Sequence, residues 1–398
     1  MKATVNQPDL VKAVSAVLGV ADKRQRGMSA LPILSHVLLE ANGDGGIRVS
    51  ATDLEVSYKG FCPARNETPG AITVPARELA ALVKDMPKGD LEIEAAGNYR
   101  LMISQGEARY RLHGLDPEQF PPIKDAEAGT GFVEIPSAIL HEMIERVMFS
   151  IAKNDLQSHL SAVRWENIEG QALRLISSDG HRLAVTEHAF PLMGLVCGDG
   201  ILVPQKGMAE LLRFLEGSET VSLTVQEQFL IAKAGDKTLT IRLMAGCYPD
   251  YRRIIPGEFA AKYSFNREEM FRALKRLALV TSNGVKGAVF TPQGDQVVVE
   301  AKTPEVGSGK EIVYWTEAKT PRATEVAEHD AGGDEAQAEA PAPDLNKFAF
   351  NIRYLLEPLA AMTSENVELE GNDASKPFRI KAAGDDSFFG LVMPMDFS

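Results

Sequence analysis

The chain has 398 residues, of which 44% are hydrophobic and 24% charged, and a formal net charge of −13 at pH 7. That length supports two to four domains, each with its own core, and the charge excludes a protein that coats nucleic acid by bulk attraction, though not one whose basic residues share a surface. No apolar run approaches the roughly 18–20 residues of a membrane span, and Met1-Lys2-Ala3-Thr4-Val5-Asn6 lacks a signal-peptide core, so a cytoplasmic protein with no membrane partner is expected.

In chain order, Leu10, Val11, Val14, Val17 and Leu18 follow the i, i+4, i+7, i+8 spacing of a helix buried along one face. A second helix is predicted at Leu79, Leu82 and Val83, after Val74-Pro75, and Leu91-Glu92-Ile93-Glu94-Ala95 alternates as a half-buried strand. Tyr110 to Ile123 then leads through a proline-containing aromatic turn into an extended linker. The order recurs. Ile139, Leu140, Met143, Ile144 and Val147 predict a helix; Met208, Leu211, Leu212 and Leu215 predict another after Val203-Pro204; Val221 to Val225 predict a strand; and Ile241 to Pro256 close on a related aromatic, proline-containing phrase. It recurs again with Met270, Phe271, Leu274, Leu277 and Ala278, the strand Gln296 to Glu300, and the helix Leu355, Leu356 and Leu359 after Asn351. A unit of roughly 125–130 residues written three times predicts an α+β protein of three tandem similar domains, each two helices packed on antiparallel sheet. The expected limits are 1–125, 130–257 and 262–398.

The stretch from 318 to 344 breaks the pattern. It is rich in Ala, Glu, Asp, Pro and Gly and has almost no large apolar residue, so it is expected to be a disordered acidic insertion in the third domain. A solvated spacer and a regulatory or DNA-mimicking segment both fit that composition.

Motifs for chemistry are sparse. Cys62, Cys197 and Cys247 form no Cys-x-x-Cys pair and are expected to be reduced thiols, with neither disulfide nor zinc site. The seven histidines show no ligand spacing, and no Gly-x-x-x-x-Gly-Lys-Ser/Thr loop is present, so neither metal nor cofactor is expected. One hydrolase arrangement can be drawn, with Asp179 and His181 two apart on a strand and Ser177 or Ser178 as nucleophile, but it lacks a Gly-x-Ser-x-Gly elbow. A β-rich scaffold of repeats, without nucleic acid, would share the periodicity and the acidity.

Five phrases in register outweigh these readings. Leu31-Pro32-Ile33-Leu34, Thr73-Val74-Pro75-Ala76-Arg77, Ser178-Asp179-Gly180-His181-Arg182-Leu183-Ala184-Val185, Tyr248-Pro249-Asp250-Tyr251-Arg252-Arg253-Ile254-Ile255-Pro256 and Leu391-Val392-Met393-Pro394-Met395 resemble, in order over nearly the whole chain, the bacterial DNA polymerase III beta subunit, the sliding clamp. The resemblance implies a non-catalytic, head-to-tail homodimer whose six domains close a ring around double-stranded DNA. Such a ring tethers the replicative polymerase for processive synthesis and is placed by a clamp loader. Partners carry a short clamp-binding peptide motif and share one pocket per protomer.

Carried over by position, the pocket's floor and walls are Leu160, Leu183, Pro249, Ile254, Leu391, Met393 and Met395, next to Ser178 and Pro394, with Gly180, His181, Arg182 and Arg253 at the rim. Methionine and branched aliphatics suit an adaptable slot for Leu or Phe side chains. DNA contact is expected to be electrostatic and blind to sequence. Its candidates are Lys12, Arg272 and Arg276 on helix faces opposite the apolar stripes, the run Lys23, Arg24 and Arg26, and Lys153 with Asn154. The chain departs from the family pattern at His159, where an aromatic is common beside the pocket, at Asp396, where a basic residue is common, and in the acidic insertion. A main replicative clamp and a divergent paralogue both accommodate those departures.

Overall fold

The computed structural model describes residues 1–21, 31–43, 45–153, 158–192, 194–195, 197–281, 287–319 and 347–396. Lys23, Arg24, Arg26, Asn154 and the acidic segment beyond residue 319 lie outside the described residues. Two helices belong to each repeat: α1 (Gln7–Val17) and α2 (Ala76–Asp85), α3 (Ser137–Met148) and α4 (Gln205–Leu215), α5 (Arg267–Leu277) and α6 (Ile352–Ala361). Buried positions follow the predicted stripes, with Leu10, Val14 and Val17 on α1 and Met270, Leu274 and Leu277 on α5.

The helix starts follow from residue chemistry. Asn266 accepts the Glu269 N–H at 3.1 Å and Asn351 accepts the Arg353 N–H at 3.1 Å, each satisfying a donor the helix cannot. α2 and α4 begin after Pro75 and Pro204, whose φ values of −56° and −58° end the preceding strand without wasting a donor. The repeats do not open on helices, however. A strand comes first in each, Lys2–Asn6, Val133–Pro136 and Ala261–Asn266. Four to six residues offer too few alternations to stand out beside an amphipathic helix.

The chain packs as two compact units. One comprises Met1–Ile144, Trp165–Leu173 and Ala189–Gly246. Its antiparallel sheet runs in the order Ala108–His113, Arg100–Gln105, Asp90–Ala96, Lys2–Asn6, Val56–Thr68, Lys237–Arg242, Phe229–Ala234, Thr220–Gln226, Val133–Pro136. The long strand Val56–Thr68 carries hydrogen bonding from the first repeat into the second, pairing Arg65 with Thr4 and Ser57 with Thr240. Leu10, Val14, Leu79, Val83, Leu39, Ile47 and Ile93 are wholly buried beneath α1 and α2.

The other unit comprises Glu145–Arg164, Arg174–His188 and Cys247–Ser398. Here the order is Arg182–Ala189, Phe388–Val392, Phe378–Ala382, Asn366–Gly371, Ala261–Asn266, Gly307–Lys319, Gln296–Thr303, Gly287–Gln293, Phe348–Asn351. Its core is aromatic: Phe378 lies 4.8 Å from Phe348 and 5.0 Å, edge-on, from Phe350, and Tyr263 stacks on Trp315 at 4.6 Å between ring centroids. Offset and edge contacts of this kind add about 0.5–1.5 kcal/mol each beyond area burial. The C-terminal strand is locked between Arg182–Ala189 and Phe378–Ala382, pairing Leu391 with both Leu183 and Arg379. That register delivers the chain's last residues to one end of the sheet.

Candidate functional site

A cavity of about 770 Å³ opens where the C-terminal strand ends, wholly within the second unit. Leu160, Ser178, Gly180, His181, Arg182, Leu183, Pro249, Arg253, Ile254, Leu391 and Met393 all line it, bringing together segments remote in sequence. Leu183 and Leu391 sit side by side in the strand pair, almost fully buried, and make the floor. Ile254 and Met393 are 48% and 39% exposed, leaving apolar surface open to a ligand. Ile254 and Arg253 are presented by the single 3₁₀ turn Tyr251–Ile254, and Arg253 is steadied by Asp250 at 2.9 Å.

The wall at Gly180–His181 is a tight turn. Asp179 Oδ1 accepts the backbone N–H groups of His181 and Arg182, both at 3.1 Å. Ser178 Oγ donates to the Arg182 carbonyl at 2.7 Å and accepts the Gly180 N–H at 3.1 Å. Gly180 has φ +85°, a conformation that favours glycine. Arg182, expected at the rim, is only 7% exposed. Its guanidinium donates to Asp179 at 3.0 Å, to Glu357 on α6 and to the Phe149 carbonyl, and lies 4.4 Å over the Tyr354 ring.

Two expected pocket residues are not on this cavity. The backbone turns at Pro394, and Met395, its N–H donated to the Ala349 carbonyl at 2.7 Å, enters a separate recess with Gly287, Lys302, Lys310 and Lys347. Other residues complete the cavity that sequence reasoning did not assign. Tyr248 and Tyr251 stand beneath the turn, and burial pushes the Tyr248 phenol up. Arg174 reaches the Tyr251 hydroxyl at 3.4 Å. Asn372, Lys376 and Pro377 form the far wall, where Asn372 donates to the Glu258 carbonyl at 2.9 Å and accepts the Ala260 N–H at 2.6 Å. Asn-Asp-Ala-Ser signals a turn in sequence, but nothing local says where that turn folds.

The basic candidates divide. Lys12 is exposed on α1 and lines a recess of about 690 Å³ with Arg77, Arg213 and Lys237, three cations the sequence did not single out for this role. Lys153 is exposed beside Arg353 and Tyr354 in a smaller recess. Arg272 and Arg276 are exposed on α5, yet Arg272 is paired with Glu268 at 2.7 Å and Arg276 grips Glu311 through two bonds of 2.7 Å. That grip raises the Arg276 pKa and lowers that of Glu311. Lys275, on the same face, was not anticipated.

The hydrolase arrangement does not assemble. Ser177 Oγ donates to the Val147 carbonyl at 2.6 Å, Ser178 Oγ to the Arg182 carbonyl, and the Asp179 carboxylate is taken by backbone N–H groups and Arg182. Ser178 and Asp179 are spent on holding the turn, and Ser177 on the end of α3. Among the described residues no three His, Cys, Asp or Glu side chains gather as a metal site, and no helix is long and apolar enough to cross a membrane.

Comparison with known proteins accounts for the arrangement. Residues 1–124 match the DNA polymerase III beta subunit N-terminal domain, 134–250 its central domain and 322–396 its C-terminal domain. The beta sliding clamps of Salmonella typhimurium and Escherichia coli K12 are each 29% identical over 398 residues, covering 99% of this chain and 100% of theirs. Among solved structures, the Bacillus subtilis DNA polymerase sliding clamp has a TM-score of 0.87 at 23% identity, with both chains covered in full, a likeness of fold. A Pseudomonas aeruginosa sliding clamp bound to griselimycin has a TM-score of 0.83 at 27% identity, again over both whole chains. Three consecutive domain matches, full-length relatives and a shared fold make this chain a member of the DNA polymerase III beta subunit family, built of three tandem clamp domains.

Proposed function

We propose that the protein is a non-catalytic processivity clamp: a homodimeric, six-domain ring that encircles double-stranded DNA and tethers a replicative polymerase through the apolar cavity. The observation that carries the reading is the cavity itself, in which residues from distant phrases meet around a buried leucine floor with open Ile254 and Met393 above it. A cavity of this size suits one or two large apolar side chains, and the backbone and charged groups at its rim can orient a peptide. The clamp loader and other motif-bearing proteins would share it. Domain limits of 1–125, 130–257 and 262–398 belong to the proposal, as does a cytoplasmic location.

Two open strand edges support the dimer. Ala108–His113 ends the first unit's sheet, with Arg109, Tyr110 and Arg111 exposed. In the second unit, among the described residues, 307–314 pair only with 296–303, and Ile312, Tyr314, Val306 and Leu279 are 48–77% exposed around that edge. An open strand edge with apolar side chains around it, as at 307–314, is an aggregation hazard that proteins cover, and pairing it with the first edge of a second copy covers both. Support for DNA contact comes from the exposed cations on α1 and α5 and from Arg77 and Arg213 in the recess beside Lys12, where Arg213 is paired with Glu210 at 2.6 Å.

A labelled peptide carrying adjacent Leu and Phe, titrated with the full-length protein, tests the pocket. Saturable binding that Met393→Glu abolishes is expected; binding that survives this change contradicts the assignment.

A further inference from the structure

We infer that Arg182 is a positioning residue for the peptide pocket: it ties the Ser178–Arg182 turn to α6 from behind and thereby sets the Gly180–His181 wall, without itself serving as the ligand's polar contact. The inference rests on the pocket reading above. Three observations carry it.

The Arg182 side chain is 6% exposed, and each of its three nitrogens already donates, to Asp179, Glu357 and the Phe149 carbonyl. Tyr354 and Phe149 lie over it at 4.4 and 5.4 Å. Turning this group toward a ligand would break all three bonds at once and leave Asp179 Oδ2 and Glu357 Oε2, both half-buried, without their arginine, a costly exchange. It is therefore fixed.

One carboxylate does two jobs. Asp179 closes the turn with Oδ1 and holds Arg182 Nε with Oδ2 at 3.0 Å, so the turn's shape and the arginine's placement cannot change separately. Of the turn residues that line the cavity, Gly180 and His181 are the exposed ones.

The anchor ends outside the cavity. Glu357 lies on α6, is not among the cavity-lining residues, and also accepts from the exposed Arg353 at 2.7 Å. Through hydrogen bonds, a change at Glu357 reaches the cavity by way of Arg182 and the turn.

The test measures amide hydrogen exchange at Gly180, His181 and Arg182 in the full-length protein, together with affinity for the Leu-Phe peptide. Glu357→Ala is expected to speed exchange and weaken binding, each about tenfold, the size of one charge-assisted hydrogen bond. Glu357→Gln keeps an acceptor and should restore most of both. Arg353→Ala removes the other partner of the same carboxylate and should move neither by more than about twofold. With Arg182→Gln and Glu357→Ala combined, the loss should not exceed that of Arg182→Gln alone, because both cut one linkage.

Unchanged exchange in Glu357→Ala overturns the inference. So do faster exchange with undiminished affinity and additive losses in the double variant. Exchange is read on the protein alone, so a wild type that binds no peptide counts against the pocket reading and not against the anchor.

Discussion

Leu183 and Leu391 face each other in the antiparallel pair of Arg182–Ala189 with Phe388–Val392, 1% and 2% exposed, one from the second repeat and one from the chain's last strand. The pair is both core and pocket floor. Met393, two residues on, donates its N–H to the His181 carbonyl at 3.0 Å but leaves its side chain 39% exposed. Stability and ligand binding should therefore separate along this short segment.

Leu391→Ala should cost about 2–5 kcal/mol of stability, as buried leucine truncations do, and weaken peptide binding as the floor relaxes. Met393→Ala should cost about 1 kcal/mol or less and still lower peptide affinity at least about tenfold, as loss of an anchor contact does. Urea melts and fluorescence anisotropy on the same samples decide it. Equal destabilisation by both variants would contradict the division of labour.

Deleting Met393-Pro394-Met395 should abolish peptide binding while the protein keeps the mass of a dimer by sedimentation. The two proposed dimer edges, Ala108–His113 and residues 307–314, lie on other strands. Unchanged peptide affinity would sink the pocket assignment, and loss of the dimer would implicate the C-terminal segment in assembly.

Binding to short duplex DNA should weaken with salt, and each phosphate contact removed should reduce the log–log slope by about 0.9. Lys12→Ala and Lys153→Ala are each expected to show that step. Arg276→Ala should show less, because its guanidinium must first leave Glu311. A slope insensitive to all three would place the DNA contacts elsewhere.

Burial pushes the Cys62 thiol up to about 12 and the Cys197 thiol up to about 11, whereas Cys247 is exposed. At pH 8 a thiol reagent should modify Cys247 quickly and the other two only after denaturation, as counted by intact mass. The neutral thiols are favoured by folding, so their contribution is complete below about pH 8.5 and is lost as pH rises toward 11–12. Rapid native labelling of Cys62 would contradict its burial.

Much of this architecture is legible in sequence because two periodicities carry it. The stripes of α1, α3 and α5 and the alternation at 91–95, 221–225 and 296–300 announce helices and strands at repeating distances. The opening strands were hidden by brevity. Most of the cavity followed from three phrases through the family resemblance they carry, not from periodicity, since Gly180, His181, Pro249 and Ile254 lie in turns that no alternation specifies. What escaped was tertiary. Whether Arg182 points outward or inward depends on Glu357 and Phe149, both distant in sequence, and Met395 turns away because Ala349 offers it a carbonyl. Asn372 and Lys376 came to the cavity by the folding of a turn whose sequence specifies only that it turns.

The most direct test of the central claim loads the protein onto nicked circular plasmid with a clamp loader and ATP, then linearises the DNA. A topologically linked ring should remain on the circle and be lost rapidly from the linear form. Equal retention on both would mean ordinary surface binding, and would contradict the ring.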